Sequence, residues 1–105
     1  MFDPKYKFIC VEKFLNYVKY DTQSDEDSTS FPSSEKQKTL SKVLAEELKS
    51  IGLKDAQMDE WGYVMATLPS NTNKKVDPIA FIAHVDTSPA VSGKDVKPMI
   101  RKNYQ

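Results

Sequence analysis

Ile79-Ala-Phe-Ile-Ala-His-Val-Asp-Thr-Ser-Pro89 is the stretch that decides the fold of this 105-residue chain. Its first five residues are apolar and predict a short strand covered on both faces, as in a parallel sheet flanked by helices. The carboxyl ends of such strands open onto the ligand crevice, so we expect His84 and Asp86 at its rim. Residues two apart in a strand point to the same side, which brings the Asp86 carboxylate within reach of the imidazole. A carboxylate beside a ligating histidine fixes its tautomer and raises its basicity, so the pair is typical of a metal site.

The alternative is a solvated or hydrogen-bonded histidine at a strand end, because His-x-Asp also occurs by chance. His84 is the only histidine in the chain. It follows the most hydrophobic predicted strand, at the end where functional residues concentrate. The spacing alone leaves both interpretations open.

Two amphipathic helices are predicted before the strands. The first runs from about Lys5 to Tyr20 and is expected to pack on a sheet, with apolar residues at helical spacing: Phe8, Val11, Leu15 and Val18. A loop rich in Ser, Thr and Asp follows from Asp21 to Ser34, and we expect its acidic cluster Asp25-Glu-Asp27 to be a solvated face. Loops of this length are often functional.

The second helix is the most strongly patterned element. Ser34-x-x-Gln37 is a capping-box pattern at its start, and Gly52 is placed to end it. Its predicted apolar face consists of Leu40, Val43, Leu44, Leu48 and Ile51.

A hairpin is predicted after this helix. It consists of a strand near residues 56–58, a turn at Glu60-Trp-Gly62 and a strand from Tyr63 to Leu68. We expect Trp61 to cover the edge of a core, with an exposed aromatic at a binding surface as the alternative. The basic tail from Ser88 to Gln105, broken by proline and glycine, is expected to be an extended surface segment.

Composition excludes several classes of protein. Fifteen basic and fifteen acidic residues cancel, so no net field favours nucleic acid or an anionic membrane. Cys10 is the only cysteine, which excludes an intrachain disulfide and fits a reducing cytosol; we expect it to be an apolar filler. The chain has no apolar run long enough to span a bilayer and no secretion signal at its start, so a cytoplasmic location is predicted.

Several segments resemble one family. Phe81-Ile-Ala-His-Val-Asp-Thr-Ser-Pro89 is similar to the first metal motif of the co-catalytic zinc exopeptidases, and the tripeptide aminopeptidase branch is the nearest match. The resemblance covers nearly the whole chain, because four further segments match that branch: Phe14–Ser24, Gly62–Pro69, Ser92–Pro98 and Asn103-Tyr104. The Ser92-Gly-Lys94 flank is the part that separates it from other hydrolases of the group.

The resemblance implies an α/β fold in which residues 1–105 form the amino-terminal part of a zinc-exopeptidase catalytic domain, a mixed sheet flanked by helices. His84 would bind one of two zinc ions and Asp86 would be the catalytic aspartate that orients it. The loop after the first helix would lie near the ligand edge of the sheet. The complete protein would be a homodimer, with an inserted dimerisation domain, that removes the amino-terminal residue from tripeptides.

The rest of the family's site has no counterpart in these residues. A bridging aspartate, a glutamate base, further carboxylate ligands and a second histidine are all missing, so we expect this chain alone to be inactive. No substrate-binding residue is assigned. A dipeptidase or amino-acid deacylase of the same group remains an alternative, as does a small non-enzymatic α/β domain.

Overall fold

A computed structural model describes residues 9–103, which form two helices and a two-stranded sheet. Helix α1 spans Cys10–Tyr17 and helix α2 spans Gln37–Ser50. Strand β1, Gln57–Met58, pairs antiparallel with strand β2, Val64–Met65. The combination of helices and strands agrees with the predicted α/β class, but within residues 9–103 the larger mixed sheet is not formed.

Helix α2 forms the centre of the small core. It packs against both strands, and the buried apolar residues are Leu40 and Ala45 on the helix with Ala56 just before β1. The predicted apolar face is correct at Leu40. It is wrong at Ile51, which is 63% exposed because it is the C-cap residue and lies past the last helical turn.

The two ends of α2 differ in how well local sequence rules predict them. The capping box is wrong: the N-cap residue is Lys36, and no side chain caps the helix. The Ser34 carbonyl instead accepts a bond from the Gln37 N–H at 3.1 Å, which places Ser34 in the preceding turn. The carboxyl end is as predicted, because Gly52 has a φ of +105° and follows the C-cap directly.

Helix α1 contacts α2 through polar groups. The Tyr17 hydroxyl donates to the Glu47 carboxylate at 2.7 Å, and Lys13 forms an ion pair with the same carboxylate. The helix ends at Tyr17 rather than Tyr20, and the predicted part before residue 9 lies outside the described residues. Packing of this helix on a sheet is not seen in the described part of the chain. Cys10 is exposed, so the prediction of an apolar filler is wrong, because no residue of α1 is buried.

The hairpin is present but its second strand is short. The Asp59 N–H donates to the Tyr63 carbonyl at 3.0 Å and the Gly62 N–H to the Asp59 carbonyl at 3.1 Å, which closes the turn. Pairing ends at Met65 instead of continuing to residue 68. Trp61 is 51% exposed and lines a shallow apolar depression of about 200 Å³, which agrees with the exposed-aromatic alternative rather than with a core edge.

The predicted motif strand is not formed. Residues 79–83 have no regular secondary structure and are exposed, with Phe81 at 96%, so the expectation of a strand buried on both faces is wrong here. An extended segment becomes a strand only when its backbone groups pair with a neighbour, and no segment within residues 9–103 pairs with it. The tail up to residue 103 is mostly exposed, as predicted, but it turns at residues 89–90 and 94–95 and is not extended throughout.

An unusually large part of the chain's surface is accessible to solvent. Its radius of gyration is 17.0 Å, whereas a compact domain of this length has about 13 Å. Its accessible surface is 9723 Å², against about 6,000 Å² for a compact protein of this mass. Within the described residues, no helix is both long and apolar enough to cross a membrane.

Candidate metal-binding motif

His84 and Asp86 are hydrogen-bonded to each other. The imidazole Nδ1 lies 2.9 Å from the Asp86 carboxylate, as the period of two predicts. Because a carboxylate at neutral pH only accepts hydrogen bonds, it holds the Nδ1–H tautomer and leaves the Nε2 lone pair available. The His84 side chain is 83% exposed, so that lone pair is open to a ligand from outside.

His84 and Asp86 could supply one ligand of a metal site and the carboxylate that orients this ligand. Zinc sites in proteins use at least three protein ligands. Among residues 9–103, no group of three or more His, Cys, Asp or Glu side chains comes close enough together to hold a metal ion. The roles of His84 as a zinc ligand and Asp86 as a catalytic residue therefore stay predictions.

The backbone immediately after the motif is attached to the loop that follows α1. The Thr87 N–H donates to the Thr22 carbonyl at 3.1 Å, and the Thr87 carbonyl accepts from the Ser24 N–H at 2.9 Å. These bonds form a parallel bridge between Gln23 and Thr87, and Thr22 is buried. The loop therefore holds the chain one residue beyond Asp86.

Three side chains support this bridge, and we call Asp21, Gln23 and Lys36 the Asp21 cluster. The Gln23 amide donates to the Pro89 carbonyl at 2.8 Å and accepts from the Lys36 ammonium at 3.4 Å. The Asp21 carboxylate accepts from the Gln23 backbone N–H at 3.1 Å and from Lys36 at 3.1 Å. These two bonds, that from the Gln23 N–H first, lower the pKa of Asp21 from its usual value.

Gly93 brings the tail close to the same cluster. A Cβ atom at this position would lie 2.8 Å from the Asp21 carboxylate oxygen Oδ1 and 3.3 Å from the Thr87 hydroxyl oxygen. The first distance is too short for a carbon beside an oxygen, so glycine lets the tail approach Asp21. The cluster thus contacts the chain after the motif at two points, Pro89 and Gly93.

A polar cleft of about 370 Å³ opens beside the bridge. Gln23, Lys36 and Pro89 line it together with the acidic cluster Asp25-Glu-Asp27, whose side chains are exposed as predicted. The loop lies next to the motif, and its place at the ligand edge of a larger sheet stays a prediction. The bonding of residues 22–24 to Thr87 was not predicted, and the only local signal for it was the length of the loop.

Comparison with known proteins identifies close relatives. No protein-family model matches the chain. It is 60% identical over 96 residues to peptidase T of Alkaliphilus oremlandii and 57% identical over 94 residues to peptidase T of Caldanaerobacter subterraneus subsp. tengcongensis. It is also 54% identical over 95 residues to peptidase T of Bacillus pumilus.

Each of these matches covers 90% of the chain, and the chain is homologous to peptidase T along that length. The matches cover 23–24% of the relatives, so the chain spans about a quarter of their length.

Proposed function

We propose that this chain forms the amino-terminal portion of the catalytic domain of a zinc-dependent aminopeptidase that releases the amino-terminal residue from tripeptides. The observation that carries the proposal is the 2.9 Å bond between His84 and Asp86. It occurs in a segment that aligns with peptidase T at 54–60% identity. A cytoplasmic, dimeric enzyme with two zinc ions per subunit belongs to the same proposal.

His84 would be a zinc ligand through Nε2, and Asp86 would hold the ring. The Asp86 carboxylate accepts the Nδ1–H, which fixes the tautomer, restricts rotation of the ring and makes Nε2 a stronger donor. Bound zinc in such a centre lowers the pKa of water and polarises the scissile carbonyl. The other ligands would come from residues that are not among 9–103.

The test uses the polypeptide encoded by the complete reading frame that contains this sequence, purified with zinc. We expect hydrolysis of unmodified tripeptides in preference to dipeptides and N-acyl amino acids. His84→Ala should abolish activity because a ligand is removed, and Asp86→Asn should lower it by about 10–100-fold, as loss of an orienting partner does. Lys75→Ala, on the exposed connector, is the control and should be fully active.

Two results would overturn this assignment. Faster turnover of dipeptides or N-acyl amino acids would favour the related dipeptidase or deacylase, against which only the Ser92-Gly93-Lys94 flank now argues. A reading frame without further metal ligands, together with zinc affinity unchanged by His84→Ala, would favour a non-enzymatic domain.

The 105-residue chain alone is expected to be inactive, because its described residues offer no complete metal site. Tripeptide hydrolysis by this chain with added zinc should not exceed that of its His84→Ala variant. Clear turnover above that variant would show that one histidine suffices, contrary to the ligand requirement stated above.

A further inference from the structure

We propose that Asp21, Gln23 and Lys36 are positioning residues for the metal-binding motif. They would hold the backbone at Thr87 and Pro89, so that the His84–Asp86 side-chain pair keeps a single orientation. The inference rests on the proposed function in one respect, namely that the held imidazole is a zinc ligand.

The first argument is that the motif has few other supports. Within residues 9–103, the hydrogen bonds that join residues 79–103 to the rest of the chain all reach residues 22–24. The preceding segment, residues 79–83, is unpaired and exposed in the described structure. The orientation of the His84 and Asp86 side chains therefore depends on how firmly the backbone is held at Thr87, one residue beyond the pair.

The second argument is that the Asp21 carboxylate orders the loop backbone to which Thr87 bonds. The bridge requires the Thr22 carbonyl and the Ser24 N–H to face the same way, as alternate groups of an extended strand do. The Asp21 carboxylate fixes the residue between them by accepting the Gln23 N–H. Asp21 thus orders the loop backbone without touching the motif.

The third argument is that the side chains connect the motif to helix α2. Gln23 uses both ends of its amide, one on the Pro89 carbonyl and the other on Lys36. Lys36 is the N-cap residue of α2, so the cluster links the motif segment to the element that carries most of the core. Truncation of Gln23 removes both connections at once.

Gly93 provides an independent perturbation from the other side. Gly93→Ala substitutes none of the three residues of the cluster, yet its Cβ would lie 2.8 Å from the Asp21 oxygen Oδ1. Either the carboxylate or the tail must then move. If the cluster positions the motif, Gly93→Ala should therefore resemble Gln23→Ala in its effect on His84.

The sole histidine makes this testable in the 105-residue chain without zinc or activity. Nitrogen NMR of the ring at about pH 8.5, where imidazole is neutral, measures the populations of the two tautomers. We expect the Nδ1–H form to predominate in the parent chain. It should shift toward the Nε2–H form, which free imidazole side chains favour, in Gln23→Ala, Lys36→Ala and Gly93→Ala.

Controls separate positioning from loss of fold. Lys49→Ala removes a comparable lysine–carboxylate pair at the other end of α2 and should leave the tautomers unchanged. Lys36→Arg retains a cationic donor and should restore the parent population. The amide shifts of Leu40 and Ala45 should stay as in the parent chain, which shows that the core is retained. Tautomer populations in Gln23→Ala and Gly93→Ala equal to those of Lys49→Ala would overturn the inference.

A second measurement uses the complete enzyme. Gln23→Ala should lower kcat by about 10–100-fold, the usual effect of losing support for a metal ligand, with KM changed by no more than about twofold. An equal loss in Lys36→Arg and Lys36→Ala would overturn the role of Lys36.

The two proposals fail in different ways. A tautomer shift in a protein that hydrolyses no tripeptide would overturn the proposed function alone. Unchanged tautomers in an active tripeptidase would overturn the positioning role alone.

Discussion

Gly52→Ala is expected to destabilise the chain by removing the residue that ends α2. Gly52 has a φ of +105°, and its N–H donates to the Lys49 carbonyl at 3.0 Å. The next N–H, that of Leu53, donates to the Leu48 carbonyl at 3.1 Å. Both bonds of a Schellman motif are thus present, and both require the left-handed conformation at position 52.

The magnitude can be worked out because steric contact contributes nothing. A Cβ atom at position 52 would meet no atom within 4 Å, so only the backbone conformation is penalised. Left-handed conformations cost an L-residue about 1–2 kcal/mol. Leaving that conformation instead would sacrifice two backbone bonds worth about 0.5–1.5 kcal/mol each. The chain takes whichever route costs less, so the free energy of unfolding should fall by about 1–2 kcal/mol.

The assay is thermal and urea unfolding followed by far-UV circular dichroism. A loss of 1 kcal/mol in a chain of this size corresponds to a midpoint lower by about 4–8 °C. Gly52→Asn should lose less, because asparagine tolerates the left-handed region better than alanine. Lys54→Ala, two residues further on and exposed, is the control. Equal midpoints for Gly52→Ala and Lys54→Ala would refute the reasoning.

Three further predictions concern the core, acid and the exposed apolar run. Leu40→Ala, at a site 6% exposed, should lower the free energy of unfolding by about 2–5 kcal/mol, whereas Leu68→Ala on the surface should leave the urea midpoint nearly unchanged; similar midpoints would contradict the core assignment. The pKa of Asp21 is lowered, first by the Gln23 N–H, so its contribution to stability is complete above the ordinary aspartate pKa of about 4 and is lost as pH falls through the lower folded value. Urea midpoints from about pH 7 to pH 2 should therefore fall more in the parent chain than in Asp21→Asn, and parallel curves would exclude this linkage. Phe81→Lys should reduce concentration-dependent association in sedimentation experiments, because exposed, unpaired apolar segments promote self-association. Unchanged association would show that another surface mediates it.

Local rules in the sequence predict the elements that depend on neighbouring residues. The apolar spacing around Leu40 and the glycine at position 52 give the second helix and its end, and a turn glycine at 62 gives the hairpin. The spacing of two gives the His84–Asp86 bond, because the two partners are close neighbours in the chain.

Features that depend on distant partners could not be predicted in this way. Residues 79–83 form a strand only beside another strand, and composition does not say whether one is available. The bond from Ser24 to Thr87 joins residues 63 positions apart, for which no periodic signal exists. The capping box at Ser34 was wrong because its backbone entered a turn, and Lys36 took the N-cap position.

Lys36 places a positively charged side chain at the end of α2 where the helix dipole is also positive. The amino-terminal end of a helix carries a partial positive charge and is stabilised by acidic groups, yet α2 has a lysine as its N-cap residue and no acidic residue in its first turn. Its ammonium group is directed to Asp21 and Gln23 instead. Replacing Lys36 with an uncharged residue should therefore remove an unfavourable charge from the first turn of α2 while loosening the loop that bonds Thr87. At this one position, the stability of the first turn of α2 and the order of the motif are opposed, so a change that favours the helix end would hold His84 less firmly.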